Sequence, residues 1–106
     1  PGLVGELLPW TRSRNVWKRR SAAVSLVPAA RRGEHTERIF EIAQALAGDS
    51  EDMVRKGLGW LLKEAYPKRP ETAVAFLEEY KSGLSRLVLR IAAEKMGVED
   101  RGRVLG

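Results

Sequence analysis

Three short segments repeat one order of residue types along the chain, and this limits the folds open to it more than any other feature. Trp17-x-x-Arg20-Ser-Ala-Ala, Met53-x-x-Lys56-Gly-Leu-Gly and Leu87-x-x-Arg90-Ile-Ala-Ala each place an apolar residue three positions before a basic one, with small or apolar residues after it. The copies begin 36 and 34 residues apart. One other helix fits between consecutive copies, so the unit is a helix pair, and stacked pairs of this length make an α-solenoid whose corresponding helices line one curved face. No strand-like alternation of useful length occurs, so the class is all-α, with about six helices. Residues 1–106 are expected to form one segment of such a solenoid.

The helices are expected in this order. Leu3, Val4, Leu7 and Leu8 make a first apolar patch that ends around Pro9 to Ser13. The opening residues carry apolar groups with no signal-peptide layout, and read as the middle of a structure. Ser13 or Asn15 caps a second helix running to about Val27, where Pro28 stops it and a loop from Ala29 to Gly33 follows. Thr36 starts a third helix with Ile39, Phe40, Ile42, Ala43 and Leu46 as core. Asp49 and Ser50 cap a central helix reaching about Tyr66. Thr72 to Tyr80 and Leu84 to Met96 form the last two, and the tail 97–106, with Gly97, Gly102 and Gly106, is expected to fray. HEAT-like repeats have this layout.

Charge is distributed unevenly. Up to Gly33 seven basic residues face only Glu6, whereas from Glu34 onward twelve basic residues meet thirteen acidic ones. A cluster of this kind suits a polyanion, most often nucleic acid. There are no cysteines and one histidine, His35, which leaves no thiolate chemistry and no basis for a metal site or cofactor. No apolar run approaches the roughly 20 residues that cross a bilayer.

The central stretch Met53 to Glu64 joins a helical core stripe, Val54, Leu58, Leu61 and Ala65, to Lys56, Trp60 and Lys63 on a neighbouring face. Gly57 stands one turn before Trp60. Either it permits close helix packing and Trp60 is core, or it leaves the indole open as a platform for a ligand. In the second helix Arg20 falls within the apolar arc of Val16, Ala23, Val24 and Val27, so it needs a buried acidic partner or an anion in a groove. Lys18 and Arg19 read as a solvated face. If Arg20, Lys56 and Arg90 occupy equivalent places, they form a row of cations suited to a polyphosphate backbone.

Asn15-Val16-Trp17-Lys18-Arg19-Arg20-Ser21-Ala22-Ala23, then Lys56-Gly57-Leu58-Gly59-Trp60-Leu61-Leu62-Lys63-Glu64, then Leu84-Ser85 to Arg90 resemble the C-terminal half of the DNA alkylation repair enzymes built from HEAT-like repeats. The resemblance implies a DNA glycosylase that excises cationic N3- and N7-alkylated purines from double-stranded DNA, without cofactor or metal, in a DNA-associated cytoplasmic protein. It makes Trp60 the lesion-binding residue and Arg20 a backbone contact, with Trp17, Lys56, Lys63 and Arg90 completing the DNA-binding set. The family's catalytic aspartate and its partner tryptophan lie upstream of the matching part, so no catalytic residue is expected in this chain. Lys63 stands where arginine is usual, and Ile91 where an acidic residue is common. The alternative reading is a non-catalytic HEAT-like DNA-binding or protein scaffold module with Trp60 as packing. Apolar faces left bare by absent neighbours invite self-association.

Overall fold

Asn15 sets the first well-defined boundary in the chain: its carboxamide oxygen accepts hydrogen bonds from the backbone N–H of Trp17 at 2.9 Å and Lys18 at 3.4 Å, and a helix follows at once. The computed structural model describes residues 2–106, with side chains from Glu6 onward, so Pro1 and the side chains of Leu3 and Val4 lie outside it. Among the described residues the chain is all-helical, in the order α1 (Gly2–Trp10), α2 (Val16–Val24), α3 (Val27–Arg32), α4 (Thr36–Leu46), α5 (Asp52–Ala65), α6 (Pro70–Tyr80), α7 (Arg86–Ala92) and α8 (Val98–Leu105). None of these helices is long and apolar enough to cross a membrane.

The count exceeds the expected six for two physical reasons. Pro28 does not end a helix but falls in the first turn of α3, where its missing N–H would have no intrahelical acceptor anyway. The stretch expected as a loop is therefore a short helix, closed by Gly33 in the left-handed region at φ 71°. The tail is not frayed either. Val104 on α8 is fully buried, Arg103 reaches Glu78 on α6 at 2.7 and 3.2 Å, and the Tyr66 hydroxyl donates to Asp100 at 2.6 Å. One buried valine and two polar ties outweigh the loose propensity of Gly97 and Gly102.

Smaller differences concern the caps. Glu51, not Asp49 or Ser50, is the N-cap of α5, and it makes no side-chain cap bond. Asp49 instead accepts from the backbone N–H of Glu51 at 3.0 Å just ahead of the helix. α7 is shorter than the expected Leu84 to Met96, starting after Ser85, whose hydroxyl accepts from Val88 N–H at 3.2 Å.

α5 is the hub, packed against α2, α3, α4, α6 and α7. Val54, Leu58, Leu61, Leu62 and Ala65 are buried on one side of it, beside Ile39, Ile42, Leu46, Val74 and Leu77 from α4 and α6. α2 and α7 flank α5 on either side, and the three run in the same direction. Arg19 and Val24 of α2 meet Asp49 and Gly57 in that order, and Ile91 and Glu94 meet Gly59 and Lys63. α5 carries one glycine on each flank to make this possible. A Cβ at Gly57 would lie 3.2 Å from Val24 Cγ2 and 3.3 Å from Arg20 Cγ, and one at Gly59 would lie 2.8 Å from Ile91 Cβ. Both glycines thus trade helix propensity, about 1 kcal/mol each relative to alanine, for close approach of neighbouring helices.

Polar ties between these layers recur at nearly constant sequence separation. Arg19–Asp49, Arg20–Met53, Arg31–Glu64, Tyr66–Asp100, Arg69–Gly33 and Lys95–Glu64 span between 30 and 36 residues. That separation is close to the spacing of the repeated segments.

Candidate nucleic-acid interface

Helical geometry turns Lys56 and Trp60 away from the buried stripe of Val54, Leu58 and Leu62, toward the open side of the α2–α5–α7 layer. Trp60 is half-buried and packs against the edge of the core with part of the indole uncovered. Trp17 on α2 is 59% exposed and Met53 at the start of α5 is 36% exposed, the two largest apolar side chains left open on this layer. Lys56 and Arg90 are exposed and make no ion pair or side-chain hydrogen bond among the described residues. Their ammonium and guanidinium groups are therefore available to an anion.

Arg20 has no buried acidic partner in the apolar arc among the described residues. Its Nη1 donates to the backbone carbonyl of Met53 at 2.7 Å, and no carboxylate pairs with it. In an α-helix that carbonyl already accepts from Gly57 N–H, and the missing side chain at Gly57 is what lets the guanidinium reach it from outside. Gly57 consequently serves helix packing and the seat of Arg20. Arg20 keeps four further N–H donors on a half-exposed fork.

The remaining cations differ. Lys63 is tied to Glu94 at 3.1 Å across the α5–α7 boundary and is only 23% exposed. Its charge is largely compensated where it stands. Lys18 lies over the Trp10 ring, 5.6 Å from the centroid, a geometry that favours a cation on the ring face. Arg19, expected on a solvated face, bonds Asp49 at 2.7 Å and the Ser13 carbonyl at 2.8 Å, with both charged side chains at least four-fifths buried. It is a structural rivet between the α1–α2 and α4–α5 loops.

Glu64 is a contact residue that the motif reading does not single out. It is buried on α5 and accepts from Arg31 at 3.2 Å and Lys95 at 3.0 Å. Burial pushes its carboxyl pKa up, but the hydrogen bonds from Lys95 and Arg31 outweigh this and hold it below the ordinary carboxylate value. Tyr66, the C-cap of α5 directly after the buried Ala65, has its phenol pKa raised by the bond to Asp100, with burial adding to it. A signal for Glu64 exists in retrospect: it follows Leu61 by three residues and so shares the core stripe, where a carboxylate requires partners. Arg69 was also unforeseen. It clasps the α3–α4 connection through the Gly33 carbonyl at 2.7 Å and the Thr36 hydroxyl at 3.1 Å. His35, beside that clasp, is in the left-handed region at φ 55° and makes no side-chain cap bond. No group of three or more potential metal ligands comes together among the described residues.

Compared with known protein families, residues 4–96 match the one described as DNA alkylation repair enzyme. No curated protein and no solved structure matches the chain. The match spans the helices that carry Trp17, Arg20, Lys56, Trp60, Lys63 and Arg90, and ends before α8.

Proposed function

Because the chain belongs to the DNA alkylation repair enzyme family, we propose that it forms the lesion- and phosphate-contacting part of an alkylpurine DNA glycosylase. The observation that carries the reading is the open side of the α2–α5–α7 layer. There a partly uncovered indole, Trp60, stands beside an unpaired ammonium, Lys56, with Arg20 and Arg90 at the corresponding places of the flanking helices. Neighbouring helices in such a layer sit about 8–10 Å apart, so these three cations are spread for successive phosphates instead of gathered on one. The near-constant separation of the cross-layer ties supports stacked HEAT-like repeats as the frame for this row.

The chemistry follows from what each group offers. An N3- or N7-alkylated purine carries positive charge and leaves as a neutral base when its N-glycosidic bond breaks, while the sugar gains oxocarbenium character. An indole face attracts both cations, by roughly 0.5 to 2 kcal/mol depending on desolvation. The guanidinium forks of Arg20 and Arg90 suit phosphate oxygens, and Trp17 offers apolar surface at the edge of the same layer. Lys63, bound to Glu94, is a positioning group for α7 more than a phosphate ligand. No carboxylate of this chain is assigned to activating water or steadying the sugar cation, so its part in this reading is binding.

A duplex carrying N7-methylguanine tests the reading, with base release followed by chromatography and binding by anisotropy. Lesion-dependent binding without release is the expected result for the chain, and Trp60→Ala should remove the lesion preference. Base release by the chain alone would place a catalytic group within it and contradict the assignment. Binding with no lesion preference in either protein would favour a non-catalytic DNA-binding module.

A further inference from the structure

On the opposite side of the molecule from Trp60, α4 and α6 leave an open cleft of about 400 Å³ between them. Its floor is a run of tilted aromatic rings: Phe40 and Phe76 have centroids 5.4 Å apart, and Phe76 and Tyr80 4.7 Å. Its rim carries the carboxylates of Glu37, Glu41 and Glu79. We infer that this cleft docks a lysine- or arginine-bearing segment of a partner protein.

Charge decides the chemistry of the occupant. Glu41 is held by Arg38 at 2.6 Å, but Glu37 and Glu79 make no ion pair among the described residues. Glu79 lies in the last turn of α6, which contains no basic residue, and the C-cap Lys81 turns its ammonium to the Arg103 carbonyl. A helix C-terminus carries partial negative charge, so a carboxylate there is unfavourable until a cation joins it. The neighbouring Glu78 has such a cation in Arg103 at 2.7 Å; Glu79 lacks one within the described residues. Aromatic faces reinforce the preference, because their quadrupoles attract ammonium and guanidinium groups. Phosphates are repelled by the same rim, so nucleic acid is the wrong class of ligand here.

The shape argues for a peptide over a free small amine. The cleft is open along the two helices, and it cannot bury most of a small ligand as an enclosed pocket would. A long aliphatic stem lying on the rings, with its charge at the rim and its backbone carried across α4 and α6, uses the whole groove. The site is independent of the DNA-facing layer, and both can be occupied together.

The test uses the whole chain and a fluorescein-labelled peptide of alternating lysine and glycine, beside its lysine-to-glutamine counterpart, read by anisotropy at low salt. The positive excess lies in the first third of the chain, whereas residues from Glu34 onward carry thirteen acidic against twelve basic groups, so variants of the rim separate the cleft from other acidic surface. The lysine peptide is expected to bind and the glutamine peptide not. Glu37→Gln with Glu79→Gln, both on exposed side chains, should weaken binding by about fivefold or more, and Tyr80→Leu by about threefold, through loss of rim charge and of ring face respectively. DNA affinity should be unchanged in the double variant. Failure of the native protein to bind the peptide, binding that survives the double variant, or displacement of the peptide by free spermidine at equal charge concentration would each overturn the assignment.

Discussion

Substituting Gly59 by alanine isolates the interaction that holds α7 against α5. The added methyl would lie 2.8 Å from Ile91 Cβ, 3.0 Å from Cγ2 and 3.3 Å from Cδ1. Ile91 Cβ is fixed to its own backbone, so no rotamer change removes the first contact, and α7 must move by several tenths of an ångström to restore ordinary separation. Overpacking of this kind costs about 2 to 3 kcal/mol at the rigid end of its range, and alanine's better helix propensity returns about 1 kcal/mol. The net loss is therefore about 1 to 2 kcal/mol, or a fall of about 4–8 °C in Tm for a chain of this size. Gly102→Ala on α8 is the internal control, since a Cβ there meets nothing within 4 Å. It should gain up to about 1 kcal/mol from propensity alone. Thermal melts followed by circular dichroism measure both. Equal stabilisation by the two substitutions would refute the claim that Gly59 is required by the α5–α7 contact.

Three further outcomes follow from the same geometry. Glu64→Gln should lower stability by about 1 to 2 kcal/mol near neutral pH through weakened bonds to Arg31 and Lys95. Because the folded carboxyl pKa is held below its ordinary value of 4.5, that difference is present above this pH and disappears as pH falls through the folded value, which melts at about pH 7 and about pH 3 would reveal. His35→Asn should raise the unfolding free energy measured in urea, by up to about 0.5 kcal/mol, since asparagine visits the left-handed region more readily. Val104→Ala should cost about 1 to 3 kcal/mol and make amides of residues 98–105 exchange faster; unchanged exchange would mean that α8 is not held by its buried valine.

The core was readable because helical spacing alone dictates it: Ile39, Ile42, Ala43, Leu46, Val54, Leu58, Leu61, Ala65, Val74 and Leu77 are all buried. A cap at Ser13 or Asn15 was readable because a short polar side chain ahead of an apolar run suits one, and the structure assigns it to Asn15. Pro28 misled because proline ends one helix and begins another equally well, and only the burial of Val27, Ala29 and Ala30 decides between them. The α8 tail was hidden because its stability is tertiary, residing in Val104, Arg103 and Asp100 and not in a pattern of its own. Arg19 and Glu64 illustrate a general limit. Arg19 reads as solvated and Glu64 as unremarkable until the fold brings up Asp49, Arg31 and Lys95 from 30 to 33 residues away. Arg20 went further still, since its acceptor is a backbone carbonyl, which any sequence offers everywhere.

The row of basic positions along the α2–α5–α7 layer is tested most directly by the salt dependence of duplex DNA affinity, compared among the native chain, Lys56→Ala, Arg90→Ala and Lys63→Ala. Unpaired Lys56 and Arg90 should each lower the slope of log affinity against log salt by about 1 when removed, whereas Lys63, compensated by Glu94, should lower it by much less. Identical slopes in the native protein and the Lys56 and Arg90 variants, in samples shown to be folded, would mean that this layer does not meet the phosphate backbone.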